Sequence, residues 1–549
     1  MSLLFEKNKK YIYNSTIKSI FDKVCKHFPN NTFLSSAYTG QNKLVRTYTY
    51  EEVKTIISKN IIFLKKCKLI TGNRVAVMIG NNPEFFILKL SLNYIGLSCI
   101  PINTELSHRE LEYIFADSAP KYVIFSEQYI HIINKLYPTI EKKQIGLIAC
   151  TLNKLNLLKS TKKTNYKKIK KISSKCESSI LYTSGTTGVP KGCILTNEYE
   201  INAGYSYAAK KGFISFKIGK ERLYNCLPVH HVNSGVLSFF AMIITANCQI
   251  QAERFSNTNF WKDIKLTNAT VFHYLGVMVP LLMKNKKSIF EKKTKLRIGV
   301  GAGIEPSLHQ KFEKRFNVLM IELWGMTEMV RCIFDYTKTR KIGKRCFGKA
   351  SDGLETKVID RIGNEVENSK GLFFIRYNKK NPKRGFFYKY NKNSLATNKA
   401  WRSGWFNTGD IVIKDTEGYH YFVDREKNII RRSGENISSA EIEQALLEVK
   451  YIINCAVLAK AHKIYEEEVF AFIIVKKEIK KNLATAKKII KKLKSSLAYY
   501  KLPCYVKFIE LMPLTSSQKS NRRELKKLIG SYKNHEYIDL ENVKRSMKK

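Results

Sequence analysis

Two spacings of apolar side chains alternate over the N-terminal part of the 549-residue chain. Apolar residues recur three and four positions apart, as on one face of a helix, in residues 49–66, 83–96 and 107–118. Short apolar runs typical of buried strands occupy residues 74–80, 98–103 and 121–127. Ser107, followed three residues later by Glu110, predicts a capped helix start. The alternation of strand and helix predicts a parallel sheet covered by helices.

The pattern changes twice further along the chain. Strand-like runs that each end in glycine extend the first region over residues 270–276, 295–303 and 318–325. Short strand patterns separated by turns such as Asp415–Gly418 follow, at residues 370–378, 410–424 and 427–433. Beyond about residue 426, helical patterns at 439–448 and 484–497 indicate a smaller α+β region. We therefore predict two domains, residues 1–424 and 425–549.

No stretch predicts a membrane-spanning helix. The most apolar run, residues 235–248, falls short of the roughly 18 to 20 residues needed to cross a bilayer, so a buried helix is predicted there. The N-terminus reaches a charged residue after five positions and lacks the apolar region of a signal peptide. The twelve cysteines show no C-x-x-C spacing, which favours reduced thiols in a cytoplasmic protein over disulfides or a zinc site.

The charge balance is strongly positive. Lysine and arginine number 96 against 46 aspartates and glutamates, a net charge of +50. Such an excess raises the hypothesis of a polyanionic partner, either nucleic acid or an anionic membrane. The lysines are spread along the whole chain, with only modest clusters at 159–175 and 476–494, and no nucleic-acid-binding motif accompanies them. A solvated basic surface is therefore favoured, with no specific nucleic acid partner, and weak association with anionic membranes stays open.

Residues 181–192, LYTSGTTGVPKG, combine small hydroxyl side chains, glycines and a lysine. Phosphate-binding loops use glycine so that backbone N–H groups can approach the oxygens, while hydroxyls and cations add further contacts. Those residue types are present here as Ser184, Gly185, Thr186, Thr187, Gly188 and Lys191. Val189 and Pro190 separate the second glycine from the lysine, which excludes the P-loop of NTPases. On composition alone, a phosphate cradle and a flexible surface turn remain equal alternatives.

Five further motifs follow this loop in a fixed order. The six segments together are residues 180–197, 227–235 (LPVHHVNSG), 323–329 (LWGMTEM), 405–410 (WFNTGD), 421–443 and 513–525 (PLTSSQKSNRREL). They closely resemble the signature motifs of the adenylate-forming, or AMP-binding, superfamily, and the likeness runs from about residue 45 to 528. The resemblance implies an ATP-dependent acyl-CoA ligase with an α/β fold. It also implies a large N-terminal domain with βαβ-layered subdomains and a small β-barrel, followed by a smaller, mobile α+β C-terminal domain.

The resemblance assigns the nucleotide phosphates and a metal ion to two of these motifs. The ATP-binding loop would comprise Thr183, Ser184, Gly185, Thr186, Thr187, Gly188 and Lys191. Glu328 would help to bind Mg²⁺, a hard cation that favours carboxylate oxygen beside substrate phosphates. Thr327 would contact the α-phosphate. Trp324 stands where the family usually has tyrosine, and its indole would still stack on adenine.

The C-terminal motifs would complete the site. Asp410 would accept hydrogen bonds from both ribose hydroxyls, and Arg425 would lie near the same ribose and phosphate. Lys519 matches the catalytic lysine of the family, although Gln518 replaces the usual preceding glycine, which leaves the placement of this lysine in question. Lys427 occupies the hinge position, about which the C-terminal domain would rotate between adenylation and transfer to coenzyme A.

The sequence leaves the acid and the acceptor open. His231 would act at the acyl pocket, or else would simply pack among apolar residues. The motifs are closest to those of crotonobetaine/carnitine-CoA ligases. The substrates of those enzymes carry a trimethylammonium group, which calls for aromatic or acidic pocket walls. Trp324, Phe272 and Tyr274 are candidates for aromatic walls. The alternatives are a medium- or long-chain fatty acid substrate, a separate carrier protein as acceptor, and an inactive scaffold that binds polyanions. The intact residues Lys191, Glu328, Asp410, Arg425 and Lys519 argue against the last.

Overall fold

The structure is a computed structural model of the whole chain. It describes residues 12, 14–38, 45–161, 171–183, 190–350, 353–432, 435–515 and 519–547. The chain divides into two compact units, each discontinuous in sequence. The first comprises Met1–Glu355 and Arg376–Trp405, and the second comprises Thr356–Ile375 and Phe406–Lys549. The boundary predicted near residue 425 remains a prediction.

Helices and strands alternate over most of the described residues. The strands are β1 Thr32–Ser36, β2 Thr47–Thr49, β3 Arg74–Met78, β4 Ser98–Pro101, β5 Tyr122–Ser126, β6 Gly146–Thr151, β7 Lys154–Lys159, β8 Glu177–Thr183, β9 Lys191–Thr196, β10 Arg222–Asn225, β11 Cys248–Gln251, β12 Val271–Leu275, β13 Ile298–Ala302, β14 Leu319–Met326, β15 Met329–Phe334, β16 Cys346–Lys349, β17 Glu355–Ile359, β18 Lys370–Arg376, β19 Lys389–Tyr390, β20 Trp401–Arg402, β21 Trp405–Lys414, β22 Tyr419–Arg425, β23 Ile429–Arg432, β24 Glu435–Ser438, β25 Ile452–His462, β26 Glu466–Val475, β27 Tyr505–Phe508 and β28 Ile538–Asp539.

Most of the α-helices lie between strands. They are α1 Ile17–His27, α2 Tyr50–Lys66, α3 Pro83–Tyr94, α4 His108–Ser118, α5 Ile130–Lys142, α6 Asn197–Ala208, α7 Phe239–Ile244, α8 Phe260–Leu266, α9 Met278–Lys284, α10 Pro306–Phe316, α11 Ser394–Ala400, α12 Ser439–Leu447, α13 Leu483–Leu493, α14 Arg522–Ser531 and α15 Glu541–Ser546. A π-helical turn, Asn233–Ser238, leads directly into α7.

The first unit contains two mixed sheets built on parallel strands. In spatial order, one sheet runs β19, β9, β8, β4, β3, β5, β6, β7 and the other runs β15, β14, β13, β12, β10, β11, β1, β2. Neighbours from β10 to β14 are parallel, as are β3, β4 and β5. The hairpin β8–β9 and the hairpin β14–β15 are antiparallel. The predicted α/β class is therefore confirmed.

The local signals in the sequence correspond to real elements. The Ser107 side chain accepts a hydrogen bond from the Glu110 backbone, and the Glu110 carboxylate accepts one from the Ser107 backbone, which completes the predicted cap of α4. The apolar run at 235–248 forms the buried α7 and part of the π-helical turn before it. Within the described ranges, no helix is both long and apolar enough to cross a bilayer. None of the twelve cysteines, all at described positions, forms a disulfide.

A buried ion pair holds β8 in the first unit. Lys89 of α3 lies 2.8 Å from a carboxylate oxygen of Glu200 on α6, and both side chains are almost completely buried. The hydroxyls of Ser178 and Ser179 on β8 donate to the other oxygen of Glu200 at 2.8 and 2.5 Å. Because removing one partner would leave a buried charge, this cluster fixes the strand that leads to Thr183.

The second unit is built on antiparallel strands. β21 pairs with β18 and with β22, which matches the strands and turns predicted after residue 370. A second sheet has the order β24, β23, β26, β27, β28, with β25 beside β26. Helices α12 and α13 pack their apolar faces into the core of this sheet. This unit therefore has the α+β character expected of the C-terminal region.

Candidate functional site

The β8–β9 hairpin carries the first predicted motif. Thr183 ends β8 and Lys191 begins β9, and the two residues face each other as the last pair of the hairpin. The hydroxyl of Thr183 donates to the carbonyl of Lys191 at 3.4 Å. Ser184, Gly185, Thr186, Thr187 and Gly188 lie outside the described residues. The two described ends of the motif thus leave the sheet side by side.

Thr327 and Glu328 form the two-residue turn of the β14–β15 hairpin, in which Met326 pairs with Met329. The hydroxyl of Tyr199 on α6 donates to the Thr327 carbonyl at 2.7 Å. The backbone N–H of Phe387 donates to the Glu328 carbonyl at 2.9 Å. The turn is therefore held from two sides by neighbouring elements. It lies beyond the carboxyl end of β14, the edge at which open α/β sheets bind ligands.

Glu328 contacts the strands of the first motif. Its carboxylate is buried, and Oε1 accepts a 2.6 Å hydrogen bond from the Tyr390 hydroxyl. The ammonium of Lys191 lies 5.1 Å from the centre of the same tyrosine ring. Burial raises the pKa of the Cys193 thiol on β9, and the nearby charge of Glu328 raises it further. The structure therefore brings together Thr183, Lys191, Thr327 and Glu328, from two motifs far apart in sequence.

Tyr390 was not predicted from the sequence. It lies in the aromatic run GFFYKY between two recognised motifs, where no spacing distinguishes a functional tyrosine from a packing one. β19 adds to the edge of the first sheet, with Tyr390 opposite Cys193 and Lys389 opposite Ile194. Only this strand pairing, which requires the folded sheet, places the phenol beside Glu328.

Trp324 lies near the end of β14, three residues before Thr327. Its side chain is buried, and its ring centre lies 6.0 Å from that of Phe347 with the planes inclined by 30°. Phe272 and Tyr274, the other candidate aromatic walls, belong to the hydrophobic core beside Phe260 and Trp261. Strand alternation explains this placement, because successive residues of β12 face opposite sides of the sheet. Those two rings are thus core residues, contrary to the expectation.

His273 faces the opposite side of β12 and belongs to a buried polar network. Its Nδ1 lies 2.6 Å from the amide oxygen of Asn233, and its Nε2 lies 3.1 Å from the hydroxyl of Tyr207. Burial lowers the pKa of His273 to about 3, so the ring is neutral. Asn225 also donates to Asn233 at 3.2 Å. The π-helical turn, a feature often found at functional sites, is fixed by these contacts.

His231 lies in a bend just before the π-helical turn. It is half-buried, and its carbonyl accepts a hydrogen bond from the Gly235 N–H at 2.9 Å. Its ring centre is 4.9 Å from that of His230. Burial lowers the pKa of His230 well below its usual value, and the neighbouring His231 adds to this effect. His231 is therefore neither in a strand nor deep in the core, and its predicted role at an acyl pocket remains a prediction.

The second unit brings together the C-terminal candidates. Asp410 on β21 is opposite Arg425 on β22. The guanidinium Nε lies 2.7 Å from Asp410 Oδ1, and the aspartate is completely buried. Desolvation lowers the pKa of Lys427, and the charges of Arg425 and Arg522 lower it further. The predicted ribose-binding pair and hinge residue are therefore neighbours.

Lys519 belongs to the same cluster of charges. Desolvation is the main cause that lowers its pKa, the positive charge of Arg425 adds to this, and Asp410 acts in the opposite direction. Its backbone N–H donates to the Thr515 hydroxyl at 3.2 Å, and its carbonyl accepts from the Thr515 N–H at 2.6 Å. These two bonds hold Thr515 and Lys519 together, while Gln518 lies outside the described residues.

Asp424 is a second residue that sequence reasoning missed. Its Oδ2 accepts hydrogen bonds at 3.0 Å from the hydroxyls of Ser438 and Ser439 and from the Ala440 N–H, at the start of α12. Its Oδ1 accepts from Arg425 N–H at 2.7 Å. One buried carboxylate thus fixes both the backbone of Arg425, two residues before Lys427, and the first turn of α12. Its position beside Arg425 in the motif YFVDREK was the available signal.

The acidic side chains fit a metal that arrives with a nucleotide. Among the described residues, no group of three or more His, Cys, Asp or Glu side chains is arranged to hold a metal ion. Glu328 offers one buried carboxylate, which follows Thr327 in the turn and accepts a hydrogen bond from Tyr390. Mg²⁺ is commonly bound in this way, by one or two carboxylates together with substrate phosphates and water.

Family models and known proteins are consistent with these motifs. The model described as AMP-binding enzyme matches residues 21–378, and the model of the AMP-binding enzyme C-terminal domain matches residues 441–519. A crotonobetaine/carnitine–CoA ligase of Proteus mirabilis is 26% identical over 533 residues, covering 93% of this chain and 98% of that protein. Long-chain fatty acid transport protein 6 of Homo sapiens is 25% identical, covering 95% of this chain and 87% of that protein.

Solved structures share the fold at lower identity. The ATP-bound structure of MatB from Rhodopseudomonas palustris is 20% identical, with a TM-score of 0.78 over 93% of this chain and 99% of that one. The o-succinylbenzoate CoA synthetase of Bacillus subtilis, in complex with its acyl-adenylate intermediate, is 20% identical with a TM-score of 0.76. At these identities, the two similarities show a shared fold.

Proposed function

This chain belongs to the AMP-binding enzyme family, and we propose that it is an ATP-dependent ligase that joins a small carboxylic acid to coenzyme A. In the first step, a carboxylate oxygen of the acid bonds to the α-phosphorus of ATP while the bond to the β-phosphate oxygen breaks. The products are acyl-AMP and pyrophosphate. Negative charge develops on the α-phosphate and on the leaving group, so fixed donors and cations accelerate this step.

The described residues supply such groups. Lys191 and the Thr183 hydroxyl lie at the base of the loop that would hold the β- and γ-phosphates. Thr327 would contact the α-phosphate from the turn beside them. Lys519 would neutralise charge on the α-phosphate and acyl oxygen. Trp324 would stack on adenine, while Asp410 and Arg425 would bind the ribose.

Mg²⁺ would be held by Glu328 together with the nucleotide phosphates. When bound, this ion supplies neutralisation of the charge on the phosphate oxygens. Glu328 has the chemistry of a ligand, because its buried carboxylate accepts a hydrogen bond from the neutral hydroxyl of Tyr390 and so keeps its negative charge.

In the second step, the thiol of coenzyme A loses its proton and its sulfur bonds to the acyl carbon. The bond between that carbon and the phosphate oxygen breaks, which releases AMP and the thioester. The family resemblance gives Lys427 the role of hinge for a rearrangement between the two steps. The hydrogen bonds that Asp424 accepts from Ser438, Ser439 and Ala440 span this position, so a rotation about Lys427 would have to break them.

One observation carries the proposal more than any other. The turn that contains Thr327 and Glu328 meets the strand pair that contains Thr183 and Lys191, through a hydrogen bond from Tyr390 and a contact with Cys193. Two motifs that are over 130 positions apart thereby form one acidic and basic surface at the edge of the sheets. A nucleotide and its metal require this combination of charges.

The network around His273 favours a short, polar acid. Parallel strands β10 to β14 have their carboxyl ends at one edge, where the substrate would enter. His273 lies two residues, or roughly 7 Å, before the end of β12. Tyr207 and His273 are completely buried there, and a side chain on Gly204 of α6 would come within 2.4 Å of the Phe240 backbone on α7. A long apolar chain would therefore have to displace hydrogen-bonded groups.

The relatives are consistent with such a substrate. The Proteus protein is named for crotonobetaine and carnitine, which are short acids with a trimethylammonium group. A cation of this kind binds well against an indole face, and of the three candidate rings Trp324 is the one outside the core cluster that contains Phe272 and Tyr274. A crotonobetaine- or carnitine-like acid is accordingly the proposed substrate class.

A panel of acids in ATP–pyrophosphate exchange tests the function. We expect exchange with carnitine, crotonobetaine or butyrate, followed by a thioester detected by mass when coenzyme A is added. No exchange with any carboxylic acid would overturn the proposal of a ligase. Exchange without a coenzyme A thioester, but with acyl transfer to a carrier protein, would show that the acceptor is a carrier protein and not coenzyme A.

A fatty acid ligase is the second candidate function. Its support is the similarity to long-chain fatty acid transport protein 6, which spans 95% of this chain. Octanoate and palmitate belong in the same panel for this reason. Higher kcat/KM for palmitate than for butyrate would favour this candidate and would contradict the inference drawn from the His273 network.

A further inference from the structure

Tyr390 contacts two of the proposed nucleotide-binding groups at once. Its hydroxyl donates to Glu328 Oε1 at 2.6 Å, and its ring lies below the Lys191 ammonium, 5.1 Å from ring centre to nitrogen. A hydrogen bond to a carboxylate is stronger than one between neutral groups. A cation over an aromatic face is also attracted to it. The residue itself is buried, with 7% of its surface exposed.

The tyrosine is a donor rather than an acceptor in this contact. A carboxylate oxygen accepts hydrogen bonds, so at a separation of 2.6 Å the phenol proton points to Glu328 Oε1. A neutral donor orients Glu328 without cancelling its charge, which stays available for a cation.

The backbone around Tyr390 is fixed by other means. The N–H of Tyr388 donates to the Ile194 carbonyl at 2.9 Å, and the N–H of Asn391 donates to the Gly192 carbonyl at 2.7 Å. The Asn391 side chain also donates to Asp117 at 2.8 and 2.9 Å. These bonds would survive the loss of one phenolic hydroxyl. The hydroxyl thus has no part in closing the strand pair.

We infer that Tyr390 is a positioning residue, which orients the Glu328 carboxylate toward the metal ion of bound nucleotide and keeps Lys191 on the same side. This inference rests on the proposed function, because it assigns the contact to a nucleotide site. Outer groups that hydrogen-bond to a metal ligand typically change metal affinity by roughly 10- to 100-fold when they are removed. Loss of the hydroxyl should therefore change mainly the affinity for the metal ion, and loss of the ring should change mainly the position of Lys191.

Binding of α,β-methylene-ATP, with and without Mg²⁺, separates these effects without requiring turnover. Tyr390→Phe removes the hydroxyl and keeps the ring. We expect it to weaken Mg²⁺-dependent binding about 10-fold in calorimetry and to leave metal-free binding unchanged. Tyr388→Phe is the matched control, since Tyr388 lies two residues earlier on the same segment with 65% of its surface exposed. It should change neither affinity.

A second variant examines the ring. Tyr390→Leu removes both contacts, so it should weaken metal-free binding as well, by roughly three-fold, the size of an exposed cation–π contact. Unchanged Mg²⁺-dependent binding in Tyr390→Phe would overturn the inference while the proposed function stands. An equal loss with and without Mg²⁺ would also overturn it, because it would show a purely structural role. Wild-type protein that fails to bind the Mg²⁺–nucleotide would overturn the proposed function and the inference together.

Discussion

Glu328 in the first unit and Asp410 in the second are both buried carboxylates, but their partners differ in charge. Glu328 accepts a hydrogen bond from the neutral hydroxyl of Tyr390 at 2.6 Å. Asp410 lies 2.7 Å from the guanidinium Nε of Arg425 on the adjacent strand. Lys427 and Lys519 add further positive charge around Asp410, as the shifts in their pKa values show.

The difference separates two kinds of acceptor. A carboxylate beside fixed cations has little charge left to attract another cation, but its oxygens still accept hydrogen bonds from neutral hydroxyls. A carboxylate held by a neutral donor retains its full charge. Glu328 is thus suited to a metal ion that arrives with the substrate, and Asp410 to a sugar. Asp410 already has a cationic partner in Arg425, whereas the donor to Glu328 is neutral.

The largest effect should follow from Glu328→Gln. It removes the charge and keeps the shape, so the metal ligand is lost. We expect the rate of Mg²⁺-dependent pyrophosphate exchange to fall about 1,000-fold, the scale of several kcal/mol that metal neutralisation supplies. Metal-free nucleotide binding should be retained. Glu127→Gln, at an exposed position in the same unit, is the control. A similar fall in the exchange rate of that variant would show that the effect is not specific to Glu328.

Lys519→Ala should have the next largest effect, and it should act on only one half-reaction. Loss of one fixed charge-stabilising group typically costs roughly 100- to 1,000-fold, and we expect this loss in adenylation. Thioester formation from supplied acyl-AMP and coenzyme A should change less than about five-fold, because the proposed rearrangement about Lys427 carries Lys519 away from the reacting groups before that step. Rapid-quench measurement of each half-reaction gives both rates.

The control for this experiment lies on the next helix. Lys526→Ala removes an equally basic side chain from the exposed face of α14 and should affect neither step. An equal loss in both half-reactions of Lys519→Ala would contradict a separate role for this lysine in adenylation. The positive charge near Asp410 would then act in both half-reactions.

Local signals in the sequence were sufficient for several of the elements. The apolar spacings predicted α2, α3 and α4 and the strands β3 to β5, because each of these elements buries one face or lies wholly in the core. The capping residues Ser107 and Glu110 fixed a helix start for the same local reason. The π-helical turn before α7 was not predicted, since it depends on contacts between Asn233 and two distant residues.

Only the site residues that lie within recognised motifs could be predicted from the sequence. Thr183, Lys191, Thr327 and Glu328 lie within recognised motifs, and their meeting in space follows from the pairing of distant strands. Tyr390 has no such signal, because its function depends on β19 pairing with β9 across about 200 positions of sequence. Phe272 was misassigned for a related reason. A strand pattern gives alternation, but not which face meets the core.

Asp410→Asn should have a smaller effect, and on a different quantity. A hydrogen bond to a charged group contributes about 1.5 to 3 kcal/mol, so we expect the KM for ATP to rise roughly 10- to 100-fold. The Mg²⁺ concentration for half-maximal rate should stay the same, in contrast to Glu328→Gln. Initial rates over a grid of ATP and Mg²⁺ concentrations measure both. Equal changes in the Mg²⁺ requirement of both variants would contradict the assignment of the metal to Glu328.

The smallest effect concerns the alkaline limb of the pH profile of the adenylation rate. Lys519 must be protonated to neutralise phosphate charge, and its lowered pKa means that it becomes neutral at a lower pH than an ordinary lysine. The adenylation rate should therefore fall as pH rises through this lowered pKa, and Lys519→Arg should move the limb to higher pH because arginine stays charged. Asp410 raises the pKa of Lys519, so Asp410→Asn should move the limb to lower pH, measured at saturating ATP. Glu328→Gln should not move it, and a shift of the same size in that variant would show that the two carboxylates share one electrostatic environment.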